Sequence, residues 1–587
     1  MKHATDAGVS SEAGAPEATD WTSYGHDLSQ TRNSPETTFS TANVGQLTRK
    51  WEKWLPRCTS TPAVVNGIVY LGDWFGSLHA MRVQDGTDVW TTQLTQSTID
   101  DSPLVADGKI FVGDGAGKLY SVDQRTGKLL WSAVVSDHPQ AHVYSSPATV
   151  DGLVLIGSAS LELVSGVNEF TFKGSFVAFD ENTGKEEWRT YVAFDDERSG
   201  AGVSVWSSFA IDTKREMAFI GTGQSYEAPA SEYGDSLVAV KYKTGEIVWH
   251  QQYTADDIYT ILHAQGPDAD VGATPNLITV NGVDAVGVGN KAGKFAVFNR
   301  DTGAPLWDPM FQQVAKGSAQ GGFMASSAYN DGVIYMASND GIGLIDDPQP
   351  TDTHALLAVN ADTGATVWRK ERPYPSVGGV TYTNGLLFYT TTDGTINAID
   401  ASTGDQLWSD KTSFIDPRTG DRNTYKVAAG VTVAEGEVFV CSGFSFFKTS
   451  GNGSYGGGVI AYGLPGGVEN LPDGGAADSH QCLLPAGASQ CNSTVTSINL
   501  CPVSTACICE KCDCDFQACA EHPGCLDILN CSIQTGCAQS NALLCYLNDG
   551  PCKDVIDANG GPVGPATNLA LAVGDCAAAQ SCPQACP

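Results

Sequence analysis

One short pattern recurs along most of this chain. The pattern is small-x-Asp/Asn-x-x-Thr-Gly-x-x-x-Trp, where x is any residue. SVDQRTGKLLW and AIDASTGDQLW are two of its copies. The clear copies end at Trp131, Trp188, Trp249, Trp307, Trp368 and Trp408, and a weaker copy ends at Trp90. Repetition at this spacing is typical of folds in which identical units stack and no unit buries its apolar faces alone.

Each copy follows two alternating apolar segments joined by a Gly-containing turn, such as GKIFVGDGAGKLYSV. This pattern predicts a β-hairpin, then a Thr-Gly turn, then an outer strand that begins near the Trp. Four-stranded units of this kind bury their faces by stacking radially, and the closed ring leaves few exposed edges. The sequence therefore predicts a β-propeller.

The two ends of the repeat region are incomplete in complementary ways. Trp51 has no hairpin before it, and the last hairpin, which ends near Gly463, has no closing strand after it. The N-terminal strand is therefore predicted to complete the final blade. We expect an all-β fold with eight blades.

Composition limits the partners of the chain. Glycine contributes 65 of 587 residues and charged residues only 17 %, which favours strands and tight turns. The net charge of −33 repels phosphate backbones and anionic lipid surfaces, so neither nucleic acid nor a membrane surface is an expected partner. No apolar stretch is long enough for a transmembrane segment.

Cysteines divide the chain into regions. Two of the 18 cysteines, Cys58 and Cys441, precede residue 480, and the others lie between Cys482 and Cys586. The expected regions are a disordered linker at 1–20, the propeller at 21–465, a second linker at 466–481 and a small disulfide-rich domain at 482–587. Disulfides are the favoured interpretation of the C-terminal cysteines, although the C-x-C-x-x-C-x-C run from Cys507 to Cys514 also has spacing suited to zinc or an iron–sulfur cluster. This tail is a candidate attachment site for a surface or a protein partner.

A disulfide scaffold predicts an oxidising compartment, so we expect a periplasmic, cell-surface or secreted protein. The first twenty residues contain no apolar signal-peptide core, and we interpret this as a missing or misplaced start of the sequence.

The Thr-Gly-x-x-x-Trp repeat resembles the tryptophan-docking repeat of pyrroloquinoline quinone (PQQ)-dependent dehydrogenases, over residues 21–465. The segments WTSYGHDLSQTRNS, SDHPQAHVYSSPATVDG and GPDADVGATPNL more specifically resemble the polyvinyl alcohol dehydrogenase group. The resemblance implies PQQ in the central channel of an eight-bladed propeller, with a calcium ion between the quinone and the protein.

The same resemblance suggests four cofactor-site residues. GAGVSVWSSFAID matches the segment of the stacking tryptophan and places it at Trp206, with packing between blades as the alternative. GSASLE places the calcium carboxylate at Glu162, and GTGQSY places Gln224 where the family has a calcium-binding asparagine. GNKAGKF places Lys291 against the quinone oxygens, with a solvated turn lysine as the alternative.

The catalytic base departs from the family pattern, because TADDIYT puts Thr260 at the position of the catalytic aspartate. Threonine cannot act as this base. Asp257 and Asp270 are our candidates in its place, beside Asp256 and Asp268, and turn aspartates are the alternative interpretation.

These features predict an exported PQQ- and calcium-dependent dehydrogenase that oxidises a secondary or polymeric alcohol. No C-x-x-C-H haem motif is present, so electrons are expected to pass to a separate acceptor such as a cytochrome c. Thr260 and the absence of the adjacent cysteine pair that often caps PQQ in this family motivate an alternative: a catalytically degenerate propeller that acts as a binding or scaffold module.

Overall fold

The computed structural model describes residues 19–465 except 165, 166, 168, 195, 197, 263, 316–320, 342–351, 418, 419 and 445–455, and in the C-terminal region 519, 524–535, 551–559, 566, 567 and 570. Eight antiparallel sheets follow one another along the chain, so the predicted eight-bladed propeller is confirmed.

Blades 1 to 4 each contain four strands in sequence order, from the innermost to the outermost. Their bounds are Ala63–Val65, Ile68–Gly72, Ser77–Arg82 and Asp88–Gln93; Leu104–Ala106, Lys109–Gly113, Lys118–Asp123 and Leu129–Val134; Ala148–Val150, Leu153–Gly157, Ser175–Asp180 and Glu186–Tyr191; and Ala210–Asp212, Met217–Gly221, Ser236–Lys241 and Ile247–Gln252.

Blades 5 to 7 repeat this order. Their bounds are Asn276–Val280, Val283–Gly289, Lys294–Asn299 and Gln312–Gln313; Ala328–Asn330, Val333–Asn339, His354–Asn360 and Thr366–Arg372; and Thr381–Thr383, Leu386–Thr391, Thr395–Asp400 and Gln406–Lys411, with Asn33–Ser34 parallel to Thr381–Thr383.

Blade 8 joins the two ends of the propeller. Its inner strands are Thr432–Ala434, Glu437–Ser442 and Gly457–Gly463, and its outer strand is the N-terminal Thr48–Leu55. The predicted closure by the N-terminal strand is therefore confirmed. A disulfide between Cys58 and Cys441 links the same two parts of the chain covalently.

Within the described residues, the smaller elements are two two-stranded antiparallel pairs, two 3₁₀ helices and two α-helices. They are Ala141–His142 with Ala159–Ser160; Ser413–Ile415 with Arg422–Thr424; Val44–Gln46 and Leu161–Leu163; and α1 at Cys525–Thr535 and α2 at Lys553–Ala558. Disulfides Cys519–Cys525 and Cys531–Cys552 lie at these α-helices, in agreement with a disulfide-rich domain. The Cys507 to Cys514 run lies outside the described residues.

The repeat tryptophans connect each blade to the next. Every indole Nε1 donates a hydrogen bond of 2.6–3.2 Å to a main-chain carbonyl. In order from Trp51 through Trp90, Trp131, Trp188, Trp249, Trp307, Trp368 and Trp408, the acceptors are Val83, Gln124, Glu181, Tyr242, Arg300, Ala361, Ala401 and Leu47. The last bond, from blade 7 to the segment before Thr48, completes the ring.

The glycine of the repeat is required by this docking. Gly184 has a φ of +69°, and a Cβ at this position would lie 2.5 Å from Cε3 of Trp131. Only glycine combines the left-handed backbone with room for the indole of the preceding blade.

Hydroxyl groups also connect the inner ends of the blades. Amide-to-hydroxyl hydrogen bonds run from Gly430 to Thr61, Ser102, Ser146, Ser208, Thr274 and Ser326, each residue donating to the next over 2.9–3.2 Å. These residues stand just before the innermost strands, so the bonds form a belt around the channel.

Residues 20–38 cross the ring beyond this belt. Trp21 pairs with Val64 of blade 1, and Ile211 of blade 4 donates to the carbonyl of Leu28 over 2.7 Å. Arg32 is fully buried, and its guanidinium donates 3.0 Å to the carbonyl of Val380. The segment therefore occupies the channel on one face of the propeller, a feature that the sequence pattern did not predict.

Candidate functional site

The predicted site residues lie in loops of the opposite face. Adjacent strands are antiparallel, so the connections between blades and between the second and third strands of a blade emerge together, away from the Thr-Gly turns. Trp206, Asp257 and Asp270 lie between blades, and Gln224 and Lys291 follow the second strands of blades 4 and 5. Glu162 lies in the 3₁₀ helix Leu161–Leu163, within the same kind of connection in blade 3.

Part of the Trp206 indole is exposed to solvent. The side chain is half-buried, and Gly272 lies against its six-membered ring so closely that a Cβ there would overlap the ring. Two residues away, Ser208 belongs to the hydroxyl belt, so the indole is held just above that belt. A partly exposed, rigidly placed indole in a channel is suited to stacking against a flat ligand.

Glu162 is a buried, ionised carboxylate. Its oxygens accept hydrogen bonds from the amides of Thr171 and Phe172 over 3.0–3.2 Å, and Nε2 of His138 lies 3.1 Å from Oε1. Burial alone would raise the pKa of Glu162, but His138 and these amides outweigh it and hold the pKa below its usual value. The imidazole carries its proton on Nε2, because Nδ1 accepts from the amide of Gln140.

Hydrogen bonds connect the segment that carries Glu162 to Tyr226. The amide of Ser160, two residues before Glu162, donates to Oγ of Ser204 over 3.2 Å, and Oγ of Ser204 lies 2.7 Å from the phenol of Tyr226. Burial raises the pKa of Tyr226, and the charges of Asp270, Glu162 and Asp268 raise it further. Tyr226 is therefore close enough to Asp270, Glu162 and Asp268 for the negative charge of each to raise its pKa.

Lys291 is buried and paired with two carboxylates. Its Nζ lies 2.6 Å from Oδ1 of Asp268 and 3.0 Å from Oδ2 of Asp270. Burial disfavours the ammonium, but the two carboxylates outweigh burial and hold the pKa of Lys291 above its usual value. The alternative of a solvated turn lysine is therefore wrong.

Gln224 belongs to the same cluster. Its amide donates 2.8 Å to Oδ1 of Asp270, and its Nε2 donates 3.2 Å to the carbonyl of Tyr259. The side-chain oxygen of Gln224 accepts no hydrogen bond from the described residues. It is a neutral, hard oxygen two residues before Tyr226 in the sequence.

The four aspartates and the threonine singled out from the sequence have different surroundings. Asp256 is exposed, whereas Thr260 is buried. Asp257 is buried and accepts from the amides of Asp268, at 3.3 Å, and Ala269, at 2.7 Å. Asp257, Asp268 and Asp270 are thus buried parts of one cluster within the loop between blades 4 and 5, and a purely structural role as turn aspartates of that loop stays the alternative to catalysis.

Asp268 has the side chain best placed for proton transfer. Its Oδ2 accepts no hydrogen bond from the described residues, while Oδ1 faces Lys291. Burial raises the pKa of Asp268 to about 7, Asp270 and Asp257 act in the same direction, and Lys291 opposes them. A carboxyl that titrates near neutral pH is suited to general-base chemistry.

Sequence reasoning missed Asp235, Tyr226 and His138 as members of this site. Asp235 is fully buried and carries both carboxyl oxygens without a hydrogen-bond donor among the described residues. Tyr226 and His138 lie in segments that resemble the family, GTGQSY and SDHPQ, but nothing in those segments marked them as site residues. No local pattern shows that a tertiary contact joins them to Glu162 and Asp270.

The cluster fits the groups that the family resemblance implies. Trp206 offers a flat surface and Lys291 a buried cation, which together suit an anionic, planar quinone. Glu162 and Gln224 offer a carboxylate and an amide oxygen, the donor types that calcium prefers. Among the described residues, no three His, Cys, Asp or Glu side chains form a metal site by themselves.

The sequence matches two family models built on this repeat. Residues 133–327 match the β-propeller domain of glucose, ethanol and alcohol dehydrogenases, and residues 37–199 and 291–436 match the outer membrane protein assembly factor BamB. Together the two matches span residues 37–436, and the chain belongs to the family of PQQ-repeat β-propellers.

Its relatives include enzymes from several bacteria. A polyvinylalcohol dehydrogenase from Pseudomonas sp. is 27 % identical over 486 residues, which cover 74 % of each chain. A quinohemoprotein alcohol dehydrogenase from Comamonas testosteroni is 24 % identical over 68 % of this chain and 70 % of the relative. The solved structure of a quinohemoprotein alcohol dehydrogenase from Pseudomonas putida HK5 shares the fold, with a TM-score of 0.64 at 22 % identity over 82 % of this chain and 85 % of that one.

None of the helices that the structure describes has the length and apolar character needed to cross a membrane.

Proposed function

We propose that this protein is a PQQ- and calcium-dependent alcohol dehydrogenase that works outside the cytoplasm. The observation that carries the proposal is that the partly exposed indole of Trp206 packs against Gly272, two residues from Asp270 of the buried Lys291–Asp268–Asp270 cluster. The sequence relationship to a polyvinylalcohol dehydrogenase supports a secondary or polymeric alcohol as the substrate.

Each residue has a defined task in this proposal. Trp206 would hold the cofactor by stacking, and Lys291 would supply a cation for the quinone oxygens. Glu162 and Gln224 would hold calcium through side-chain oxygens. When bound, PQQ supplies a two-electron acceptor for the oxidation of the alcohol.

The chain's own carboxyls handle the proton. Asp268 removes the hydroxyl proton of the alcohol at Oδ2, the oxygen that accepts no hydrogen bond from the described residues. The sequence-derived candidates Asp257 and Asp270 support it, because Asp257 binds the amide of Asp268 and Asp270 shares Lys291 with it.

Export and electron transfer are part of the same proposal. Cys58 and Cys441 form a disulfide inside the propeller, which persists in an oxidising compartment such as the periplasm or the cell exterior. A separate acceptor such as a cytochrome c would reoxidise the cofactor.

A scaffold function without catalysis is the second candidate, and the match to the BamB family favours it. That match leaves out residues 200–290, which carry Trp206, Gln224 and the aspartate cluster, whereas the dehydrogenase match includes them. The distribution of the two matches along the chain therefore supports the enzyme.

One experiment tests the proposal. Purified protein is incubated with PQQ and calcium, desalted and examined for retained quinone absorbance, then assayed for reduction of an artificial dye with secondary alcohols. We expect retention and turnover, and Trp206→Ala should abolish retention. Retention without turnover would support a degenerate enzyme, and no retention by the unaltered protein would support the scaffold.

A further inference from the structure

Asp235 stands immediately before the third strand of blade 4, Ser236–Lys241. Its side chain has no exposure to solvent. Its backbone is fixed on both sides, since its amide donates 3.0 Å to Gly223 and its carbonyl accepts from Tyr253 over 2.8 Å. The side chain therefore has a defined position in the protein interior.

The group within hydrogen-bonding reach of Asp235 is another carboxyl, that of Asp257. Asp257 already accepts from the amides of Asp268 and Ala269, whereas neither oxygen of Asp235 has a donor among the described residues. The two carboxyls are thus in contact, but only that of Asp257 accepts hydrogen bonds from main-chain N–H groups.

Two buried carboxylates in contact cannot both be ionised, because each opposes the charge of the other. The amide donors stabilise negative charge on Asp257, so the shared proton resides on Asp235. We propose that Asp235 is a neutral carboxylic acid that donates a hydrogen bond to Asp257 and so positions the Asp268–Asp270 segment for the reaction. This role of a positioning residue rests on the proposed function.

The charged groups around Asp235 support this protonation state. Burial raises the pKa of Asp235 well above its usual value, and the neighbouring carboxylates Asp270 and Asp257 raise it further. Lys291 is the cation that opposes them. Two anions and complete burial outweigh this single ammonium, which is itself paired with Asp268 and Asp270.

The protonation state can be measured without activity. An unfolded aspartate ionises near pH 3.9, so a native state that keeps Asp235 protonated loses stability as pH rises above that value. Asp235→Asn, which is neutral at every pH, should therefore gain Tm relative to the unaltered full-length protein by several degrees between about pH 5 and about pH 8. Its infrared difference spectrum should also lack one protonated-carboxyl band.

Asp331→Asn is the matched control. Asp331 has the same left-handed backbone as Asp235, with φ of +43° against +48°, but it is exposed. Any benefit of asparagine in this backbone conformation appears in both variants. A pH-independent Tm difference for Asp235→Asn, or an unchanged infrared band, would overturn the proposal.

The positioning role is tested by rescue in the PQQ-loaded protein. Asparagine retains an N–H donor toward Asp257, so Asp235→Asn should keep kcat within about tenfold. Asp235→Ala removes the donor and should lower kcat by about 10²-fold or more, with PQQ retention unchanged. Equal loss in both variants would overturn the role.

If the unaltered protein binds PQQ without turnover, the proposed function fails, whereas the Tm and infrared measurements still decide the state of Asp235. If Asp235→Ala does not fold, the asparagine variant and the infrared band carry the test.

Discussion

Nζ of Lys291 lies 2.6 Å from Oδ1 of Asp268, inside a site where both side chains are almost completely buried. This ion pair places a carboxyl with a pKa of about 7 beside a permanent cation. The catalytic properties proposed above depend on that balance, because burial and the neighbouring carboxylates favour the protonated acid while the ammonium favours the carboxylate.

The rate of alcohol oxidation should rise with pH, with a midpoint near 7. The base is the ionised form of Asp268, and its fraction increases as pH passes the pKa of about 7. Dye reduction at saturating alcohol measures this profile. Asp268→Asn should lower kcat by roughly 10²–10⁴-fold and leave PQQ retention intact. The exposed Asp256→Asn is its control, and equal losses in the two variants would argue against Asp268 as the base.

Lys291→Gln should move the same profile toward alkaline pH. Without the ammonium, Asp268 retains only burial and negative neighbours, all of which raise its pKa. The profile is measured at PQQ concentrations that saturate the variant, so that weaker cofactor binding does not enter kcat. An unchanged midpoint would mean that Asp268 is not the titrating group.

Docking of the tryptophans predicts a difference between two glycines of blade 3. Gly184→Ala introduces a Cβ 2.5 Å from the Trp131 ring, whereas a Cβ at Gly152, where φ is +79°, would meet no atom within 4 Å. Both variants carry the left-handed backbone cost of about 1–2 kcal/mol, and only Gly184→Ala also displaces an indole. Thermal unfolding should show a clearly lower Tm for Gly184→Ala than for Gly152→Ala.

Removal of the Cys58–Cys441 disulfide should destabilise the propeller. The bond closes a loop between residues 383 positions apart, and native disulfides typically contribute about 2–4 kcal/mol. The double variant Cys58→Ser, Cys441→Ser should therefore unfold at lower denaturant concentration while keeping its strand content by circular dichroism. A midpoint equal to that of the parent protein would show that strand pairing alone closes the ring.

Local repetition explains why the fold was predictable. Each Thr-Gly-x-x-x-Trp copy carries its own turn, glycine and docking indole, so the same short-range chemistry defines every blade. The incomplete ends at Trp51 and Gly463 then required the N-terminal strand to complete blade 8, as the structure confirms.

The remaining features depend on contacts between distant parts of the chain. Residues 20–38 are held by main-chain and side-chain hydrogen bonds to blades far away in the sequence, so no local pattern indicated their path across the channel. The sequence suggested Lys291, Asp257 and Asp270 separately, but not the ion pairs that join them. Asp235 carried no signal at all, because one buried acid between ordinary residues has no periodicity.

The path of residues 20–38 has a kinetic consequence. Since that segment crosses one end of the ring, the proposed alcohol and the proposed separate acceptor would both reach the site from the other end. If both bind there, they must take turns, and steady-state kinetics should follow a ping-pong rate law in which an excess of either reactant slows the other.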